Sequence, residues 1–492
     1  MHQVIAAFGY FVMIFLAWLM SSHRWRFPWR VVVGGTLLQI GFALVILKTD
    51  TGRWVFTGLG DFFTRLLDCV DEGSEMVFGE DFRQHYFAFR VLPTIIFFSA
   101  LMSVLYHIGV MQFVVRILSR VMQVTLKTSG AESLAASANI FVGQTEAPLV
   151  IKPYVALMTR SELMAVMVGG FATIAGGVMA AYIGMGINAA HLVTASFIAA
   201  PASLLIAKVL QPETEVPVTL GVESQEMPPE SSNLIEAAAN GTTDGLKLAL
   251  NVGAMLIAFM ALIAMVDYCL EGMSLWILTG IGIENPVPLT LSRIFGTLFS
   301  PLAWLMGIEW KECSSAGELL GLKMVANEFV AYKKLGDWLK PDSIVHPLSD
   351  RSAMIMTYAL CGFSNFASIG IQVGGIGAMA PERRKDLTEL GLRAMLGGML
   401  ACCMTACIAA VIWEEPVKVP AQPDVSDNRV AEVLRFHEPA DNLKPEPADS
   451  DTCRPEIASI FPSKAYSDVK QIHSDVESGD HSRVYQRTRD VA

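Results

Sequence analysis

The sequence predicts an all-α polytopic membrane protein, and three observations predict it. Apolar residues make up 53% of the 492 residues and charged residues only 17%, against about 25% charged in soluble domains; the mean hydropathy is +0.45. Several uninterrupted apolar runs approach or exceed the length of about 20 residues that crosses a bilayer. Two further apolar regions are broken by Gly, Ser and Pro around isolated polar clusters. They read as re-entrant, because non-helical backbone survives at membrane depth only under cover of protein or water.

In chain order, the first span is Val4–Met20. It lacks a basic leader and a small-residue cleavage site, so it reads as a retained helix and not a signal peptide. The basic loop "SSHRWRFPWR" follows and places that side in the cytoplasm. The N-terminus is then outside. Val31–Leu47 returns to an acidic connection, Thr49 to Phe87, carrying Asp61, Asp68, Asp71, Glu72, Glu75, Glu80 and Asp81. Val91–Met111 leads to Arg116, Arg120 and Lys127, inside again. Ser129–Tyr154 and Val287–Tyr332 are the two re-entrant segments, with Leu248–Val266 between them. The basic stretch Ala380–Arg393 is inside, and Ala394–Trp413 exits to leave the tail outside. Gln211–Ser232 is a Pro- and Glu-rich linker. Glu414–Ala492 is polar, carries about half of the net charge of −11, and reads as disordered apart from a short helix at most in "DNRVAEVLRFHE".

These features divide the chain into residues 1–128 (N-terminal helices and an amphipathic segment), 129–210 (first hairpin and broken helix), 211–232 (linker), 233–286 (interfacial and scaffold helix), 287–413 (second hairpin and broken helix) and 414–492 (tail). Cys361, Cys402, Cys403 and Cys407 lie in apolar runs as small hydrophobes, and no cysteine spacing resembles a zinc site.

"GGFATIAGG" (Gly169–Gly177) overlays "CGFSNFASIG" (Cys361–Gly370), pairing Gly170 with Gly362, Phe171 with Phe363, Thr173 with Asn365 and Ala175 with Ala367. Each copy follows a glutamate in an apolar setting: Glu146 in "GQTEAP" and Glu328 in "VANEFVAY". On the topology above the two units enter from opposite sides. That is an inverted repeat, the way many secondary transporters build a midplane site from broken helices.

Glu146 is the only charge between Glu132 and Lys152. One reading is structural, a carboxylate satisfied at a helix start with Pro148 in the first turn. The other is a polar set of Gln144, Thr145 and Glu146 at a hairpin tip, supplying donors and acceptors to a polar, uncharged solute. Glu328 has the alternative of an ion pair with Lys333 or Lys334, but these lie off the helical i+3/i+4 spacing. "GLGD" (Gly58–Asp61) has the form of an intramembrane aspartyl protease motif but lies in the acidic connection, without a second matching Asp. No phosphate loop, HExxH or GxSxG is present, so neither ATP-driven pumping nor hydrolytic enzyme activity has support.

"GQTEAPLVIKPY", "GFATIAGGVMAAYIGMGI", "ENPVPLTLSRIFGTLFSPLAWLMGIEW", "KMVANEFVAY" and "CGFSNFASIGIQVGGIG" closely resemble the concentrative nucleoside transporters, in order and over nearly all of residues 1–413. The resemblance implies a homotrimer in the lipid bilayer, here the inner (plasma) membrane. Each chain would have about eight spanning helices, two re-entrant hairpins and interfacial helices, importing nucleosides by symport with sodium, with protons as the alternative. It implies nucleobase binding by Gln144, Thr145, Glu146 and Val178, and ribose binding by Glu328, Asn365 and Ser368; Phe363 is added to the ribose set from its place two residues before Asn365 in a broken helix. It implies a sodium site from Asn139, Val142, Thr173 and Ile174. Family members often carry Ser where this chain has Thr173; the hydroxyl is kept. Nothing implies a nucleic-acid partner. Two other classes stay open: a nucleoside-sensing receptor that keeps the site without transport, and a proton-coupled carrier for free nucleobases, against which the ribose set around Glu328 argues.

Overall fold

The computed structural model describes residues 1–413 apart from residues 86, 222–230, 282–286, 341–342 and 344–346. The centre of the linker and the whole tail, with its short-helix expectation, therefore lie outside the described residues. The described chain is helical, without a strand.

The apolar runs fold where expected. The first two are α1 (His2–Leu19) and α2 (Trp29–Lys48). The acidic connection is itself a helix, α3 (Asp50–Phe78), opened by the Thr49 side chain accepting from Gly52 N. Then come α4 (Leu92–His107) and α5 (Val110–Leu126). The first interrupted region becomes α6 (Gly130–Ala138), a non-helical turn, and the short α7 (Ala147–Val150) and α8 (Lys152–Val155). It leads into α9 (Arg160–Ala172), α10 (Gly176–Gly184) and α11 (Ala189–Leu210). After the linker, α12 (Leu234–Gly280) is one continuous helix of 47 residues.

The second interrupted region also differs from expectation. Val287–Tyr332 is not one hairpin. It contains a helix of its own, α13 (Leu291–Leu305), before the turn-linked pair α14 (Cys313–Val325) and α15 (Glu328–Leu339). α13 carries a one-sided apolar pattern on a 15-residue helix, which in sequence looks like any half-buried segment. The chain ends in α16 (Asp350–Leu360), α17 (Phe366–Met379) and α18 (Arg384–Ile412). Seven of the described helices are long and apolar enough to cross a membrane, with α9 and α10 counted together. α16 and α17, separated by Cys361–Asn365, form a second interrupted helix.

Two contacts position the site. α12 lies on α4 with backbones almost touching, since a Cβ at Gly241 would sit 2.7 Å from Ala100 Cα and one at Gly245 would sit 2.8 Å from Ile96 Cα. This is the small-xxx-small packing of membrane helices. At the other contact, α6 and α9 start side by side in twin capping boxes, Ser129 with Glu132 and Thr159 with Glu162. Ser129 Oγ also donates to Glu162 Oε1 at 2.6 Å, and Lys208 of α11 pairs with Glu132 at 2.7 Å and Glu213 at 3.2 Å. These buried charges are paired and hydrogen-bonded, as burial requires. They anchor the base of the first helix–turn–helix to α9 and α11.

Each interrupted helix leaves its last carbonyls without intrahelical donors, and side chains and backbone N–H groups, some local and some from other elements, supply them. Around the end of α16, Thr357 O accepts from the Tyr332 hydroxyl at 2.7 Å, Ala359 O from Lys323 Nζ at 2.9 Å, and Leu360 O from Gly362 N at 2.8 Å. Around the end of α9, Gly169 O accepts from Thr173 Oγ1 at 2.9 Å and Phe171 O from Ser364 Oγ at 2.9 Å. Thr173 O accepts from Phe363 N at 3.3 Å. The two breaks therefore brace one another. They do so in a different register from the sequence overlay. Thr173 closes α9 as Cys361 closes α16, and Ala175 opens α10 as Asn365 opens α17. Thr173 is thus not the counterpart of Asn365.

Candidate functional site

The site lies where the two turns meet the two breaks. Glu328 is the first residue of α15, after Asn327, whose side chain caps the helix by accepting from Val330 N at 2.9 Å. The carboxylate thus sits at the positive end of a helix dipole. It is 4% exposed, and both oxygens are engaged: Oε1 accepts from the Tyr182 hydroxyl at 3.0 Å and Oε2 from Asn365 Nδ2 at 3.1 Å. Each oxygen keeps a free lone pair. The ion pairs with Lys333 and Lys334 do not form; those lysines pair with Asp337 and Glu318. Asn365 is oriented in turn, because its Oδ1 caps α17 by accepting from Ser368 N at 2.9 Å.

Gln144, buried in the first turn, donates from Nε2 to Ser368 Oγ at 3.1 Å. Thr145 lies against α17, where a Cβ at Gly375 would be 2.9 Å from Thr145 Cγ2. Gln144 of the base set is thereby hydrogen-bonded into the network of Ser368, Asn365 and Glu328 from the ribose set. Val178 is buried on α10, and Phe363 is half-buried in the second break. Glu146 is placed differently. Its side chain accepts from Gly143 N, within its own turn, and does not cap α7. It opens onto a cavity of about 290 Å³ between this turn, α4 and α12, lined also by Val142, His107, Lys152 and Asp244. The lone carboxylate in this apolar stretch thus faces a cavity that His107, Lys152 and Asp244 also line.

The four residues expected to hold a cation converge on the first break. Asn139 is fully buried, and neither Oδ1 nor Nδ2 has a hydrogen-bond partner among the described residues. A Cβ at Gly169 would lie 3.0 Å from Asn139 Nδ2, and the Gly169 carbonyl is the one that takes the Thr173 hydroxyl. With its proton committed there, the Thr173 oxygen has lone pairs to offer. Val142 and Ile174 lie in non-helical backbone, and Phe141 O accepts from Gly176 N at 2.9 Å, tying the turn to the break. An unpartnered buried amide oxygen, a hydroxyl oxygen and unwound carbonyls make a hard-oxygen set that fits sodium.

Sequence reasoning missed four supports. Tyr182 and Ser364 hold Glu328 and the α9 end. Lys323, fully buried, donates to Ala359 O and acts on Glu328 through space. Gln372, also fully buried, donates from Nε2 to Gln144 Oε1 at 3.1 Å and to Met167 O at 3.2 Å. A lysine and a glutamine inside apolar runs were the available signal. Room for the paired amides depends on Gly170, where a Cβ would lie 2.7 Å from Gln372 Nε2 and 2.9 Å from Gln144 Cβ. Gly170→Ala is expected to destabilise the protein by about 1–3 kcal/mol through overpacking, measured as a lower thermal-inactivation midpoint of purified protein; an unchanged midpoint would show that the amides can part freely.

Comparison with known proteins identifies the family. Family models described as Na+ dependent nucleoside transporter N-terminus, nucleoside recognition, and Na+ dependent nucleoside transporter C-terminus match residues 8–81, 88–189 and 191–410. The chain is 45% identical over 417 residues to an uncharacterized transporter of Haemophilus influenzae, covering 84% of this chain and 98% of that protein. It is 42% identical to human solute carrier family 28 member 3, covering 85% of this chain and 61% of that longer protein. The solved structure of CNTnw in an inward-facing substrate-bound state superposes with a TM-score of 0.77 at 43% identity, over 84% of this chain and 98% of that one. The chain belongs to the Na+-dependent (concentrative) nucleoside transporter family.

Proposed function

We propose that this protein imports nucleosides by symport with sodium, as a homotrimer in the inner membrane. The observation that carries the substrate class is Glu328. A buried carboxylate held by two neutral donors and a helix N-terminus, with a lone pair left on each oxygen, suits the vicinal hydroxyls of a ribose. Gln144 and Thr145 supply the donors and acceptors that a base edge needs. Ser368, which accepts from Gln144, keeps its own proton for the sugar.

Sodium is favoured over the proton by Asn139. The turn and break around it offer oxygens, the one titratable side chain among them, Glu146, is tied to Gly143 N and faces the cavity toward α12, and the Asn139 Oδ1 is buried without a partner among the described residues. Glu146 is the group that a proton-coupled mechanism would use, since it faces a cavity lined also by His107, Lys152 and Asp244. A sodium ion moving down a tenfold gradient releases about 1.4 kcal/mol, and a 100 mV potential adds about 2.3 kcal/mol. Together they support roughly 500-fold accumulation of a neutral solute. The trimer is supported by α12, about 70 Å long, whose most apolar window is only 11% buried within one chain. Such a helix needs lipid or further copies of the chain against it. The test is uptake of labelled uridine into proteoliposomes under an imposed sodium gradient without a pH gradient. Accumulation above the external concentration is expected. Uptake driven only by a pH gradient would overturn the ion assignment, and binding without accumulation would favour a receptor.

A further inference from the structure

Gln144 is expected to read a base edge, and an amide can do this with either polarity. The carbonyl and the NH2 of a glutamine have the same shape, so a half-turn of the amide exchanges an acceptor for a donor. Something must fix which end is which. The fixed point is a backbone carbonyl. Met167 O, in the middle of α9, accepts from Gln372 Nε2 at 3.2 Å. A carbonyl oxygen only accepts, so Gln372 must turn its NH2 toward α9. The second hydrogen of that NH2 goes to Gln144 Oε1 at 3.1 Å. Gln144 is thereby forced to direct its own NH2 the other way, to Ser368 Oγ at 3.1 Å. The hydroxyl then has its own proton free.

The polarity therefore runs in one direction, from the α9 backbone through Gln372 and Gln144 to Ser368. Reversing any amide would set two donors or two acceptors face to face. The arrangement has a cost that marks it as more than packing: Gln372 Oε1 is buried without a partner among the described residues, and an unpaired buried polar atom is destabilising. An apolar side chain of similar length would avoid that cost, and would also leave Gln144 free to turn.

We infer that Gln372 is a positioning residue for base selectivity: it locks the Gln144 amide so that one N–H and one lone pair of fixed identity face the base. This rests on the proposal that Gln144 meets the base. Uridine and cytidine are the matched probes, because they differ in polarity along one edge. Uridine presents an N3–H donor beside an O4 acceptor, and cytidine presents an N3 acceptor beside an N4 amine.

The experiment measures kcat/KM for uptake of both nucleosides by the full chain in proteoliposomes, for wild type, Gln372→Leu and Gln144→Ala. Gln372→Leu is expected to change the uridine-to-cytidine ratio by about tenfold, the worth of one hydrogen bond, without changing the sodium concentration that gives half-maximal uptake. A uniform loss for both nucleosides, with the wild-type ratio kept, would overturn the inference and leave Gln372 a packing residue. Gln144→Ala separates the two proposals. If it leaves the ratio at the wild-type value, the base assignment of Gln144 is wrong and the inference falls with it. If it shifts the ratio while Gln372→Leu does not, the inference alone fails. Should Gln372→Leu be recovered unfolded, Gln372→Met keeps the length of the side chain and is read in the same way, with equilibrium binding of the two nucleosides in place of slow uptake. Loss of folding in both variants would count against a positioning role.

Discussion

Glu328→Gln is expected to lower kcat/KM for uridine by about a hundredfold or more while leaving a folded protein. The expectation follows from the two donors that face the carboxylate. Tyr182 donates to one oxygen and Asn365 to the other. An amide must turn its NH2 toward one of them. Asn365 is locked, because its Oδ1 accepts from Ser368 N; the Tyr182 hydroxyl can rotate and accept. Gln at 328 would therefore face Tyr182 with its NH2 and Asn365 with its oxygen. One acceptor and the full charge are lost at the place where two hydroxyls would bind. Hydrogen bonds to charged groups contribute about 1.5–3 kcal/mol each, so losing even one in that form accounts for tenfold or more, and losing two for the expected fall. The companion measurement is competition by 3′-deoxyuridine. It should compete poorly against wild type, and the discrimination should vanish in Glu328→Gln. Equal competition by uridine and its 3′-deoxy form against wild type would sink the ribose assignment even if the variant were inactive.

The parts of this site that could be read from sequence were those that violate the chemistry of their surroundings. Glu146 and Glu328 are single carboxylates in apolar runs, and Asn365 follows a Gly and a Ser in a stretch that cannot continue a helix. Such residues announce themselves because burial without a partner is costly. The partners were not readable. Gln372 meets Gln144 across 228 positions and Tyr182 meets Glu328 across 146, and no local pattern specifies contacts at that separation. The same reason explains the register of the repeat. Gly and Phe recur in both copies, but the breaks are set by which carbonyls Ser364, Phe363, Lys323 and Tyr332 can reach. α13 is not separable from the second hairpin in sequence, because a short one-sided apolar helix and a half-buried hairpin limb share one pattern. Glu146 stands out in sequence as a lone carboxylate in an apolar run, but the cavity toward α12 that it faces is formed by distant elements.

Asn139→Ala is the sharpest test of the ion site, because its effect on stability should reverse with sodium. In most buried positions, truncating an asparagine removes hydrogen bonds and destabilises. Here neither end of the amide has a partner among the described residues, so without sodium the substitution removes only unsatisfied polar atoms. Sodium-free Asn139→Ala is therefore expected to be at least as stable as wild type, with a gain of up to about 1–3 kcal/mol. Adding sodium should raise the thermal midpoint of wild type, as any ligand that binds only the folded state does, and should raise that of the variant far less. In transport, the sodium concentration for half-maximal uptake should rise about tenfold or more, the worth of one oxygen ligand taken as a hydrogen bond to a charge. The uridine KM at saturating sodium should move little, since Gln144, Glu328, Asn365 and Ser368 are untouched. A variant that is destabilised equally with and without sodium would make Asn139 an ordinary core residue. A variant that keeps wild-type sodium activation would move the ion elsewhere, and the cavity faced by Glu146 and Asp244 is where the search would then turn.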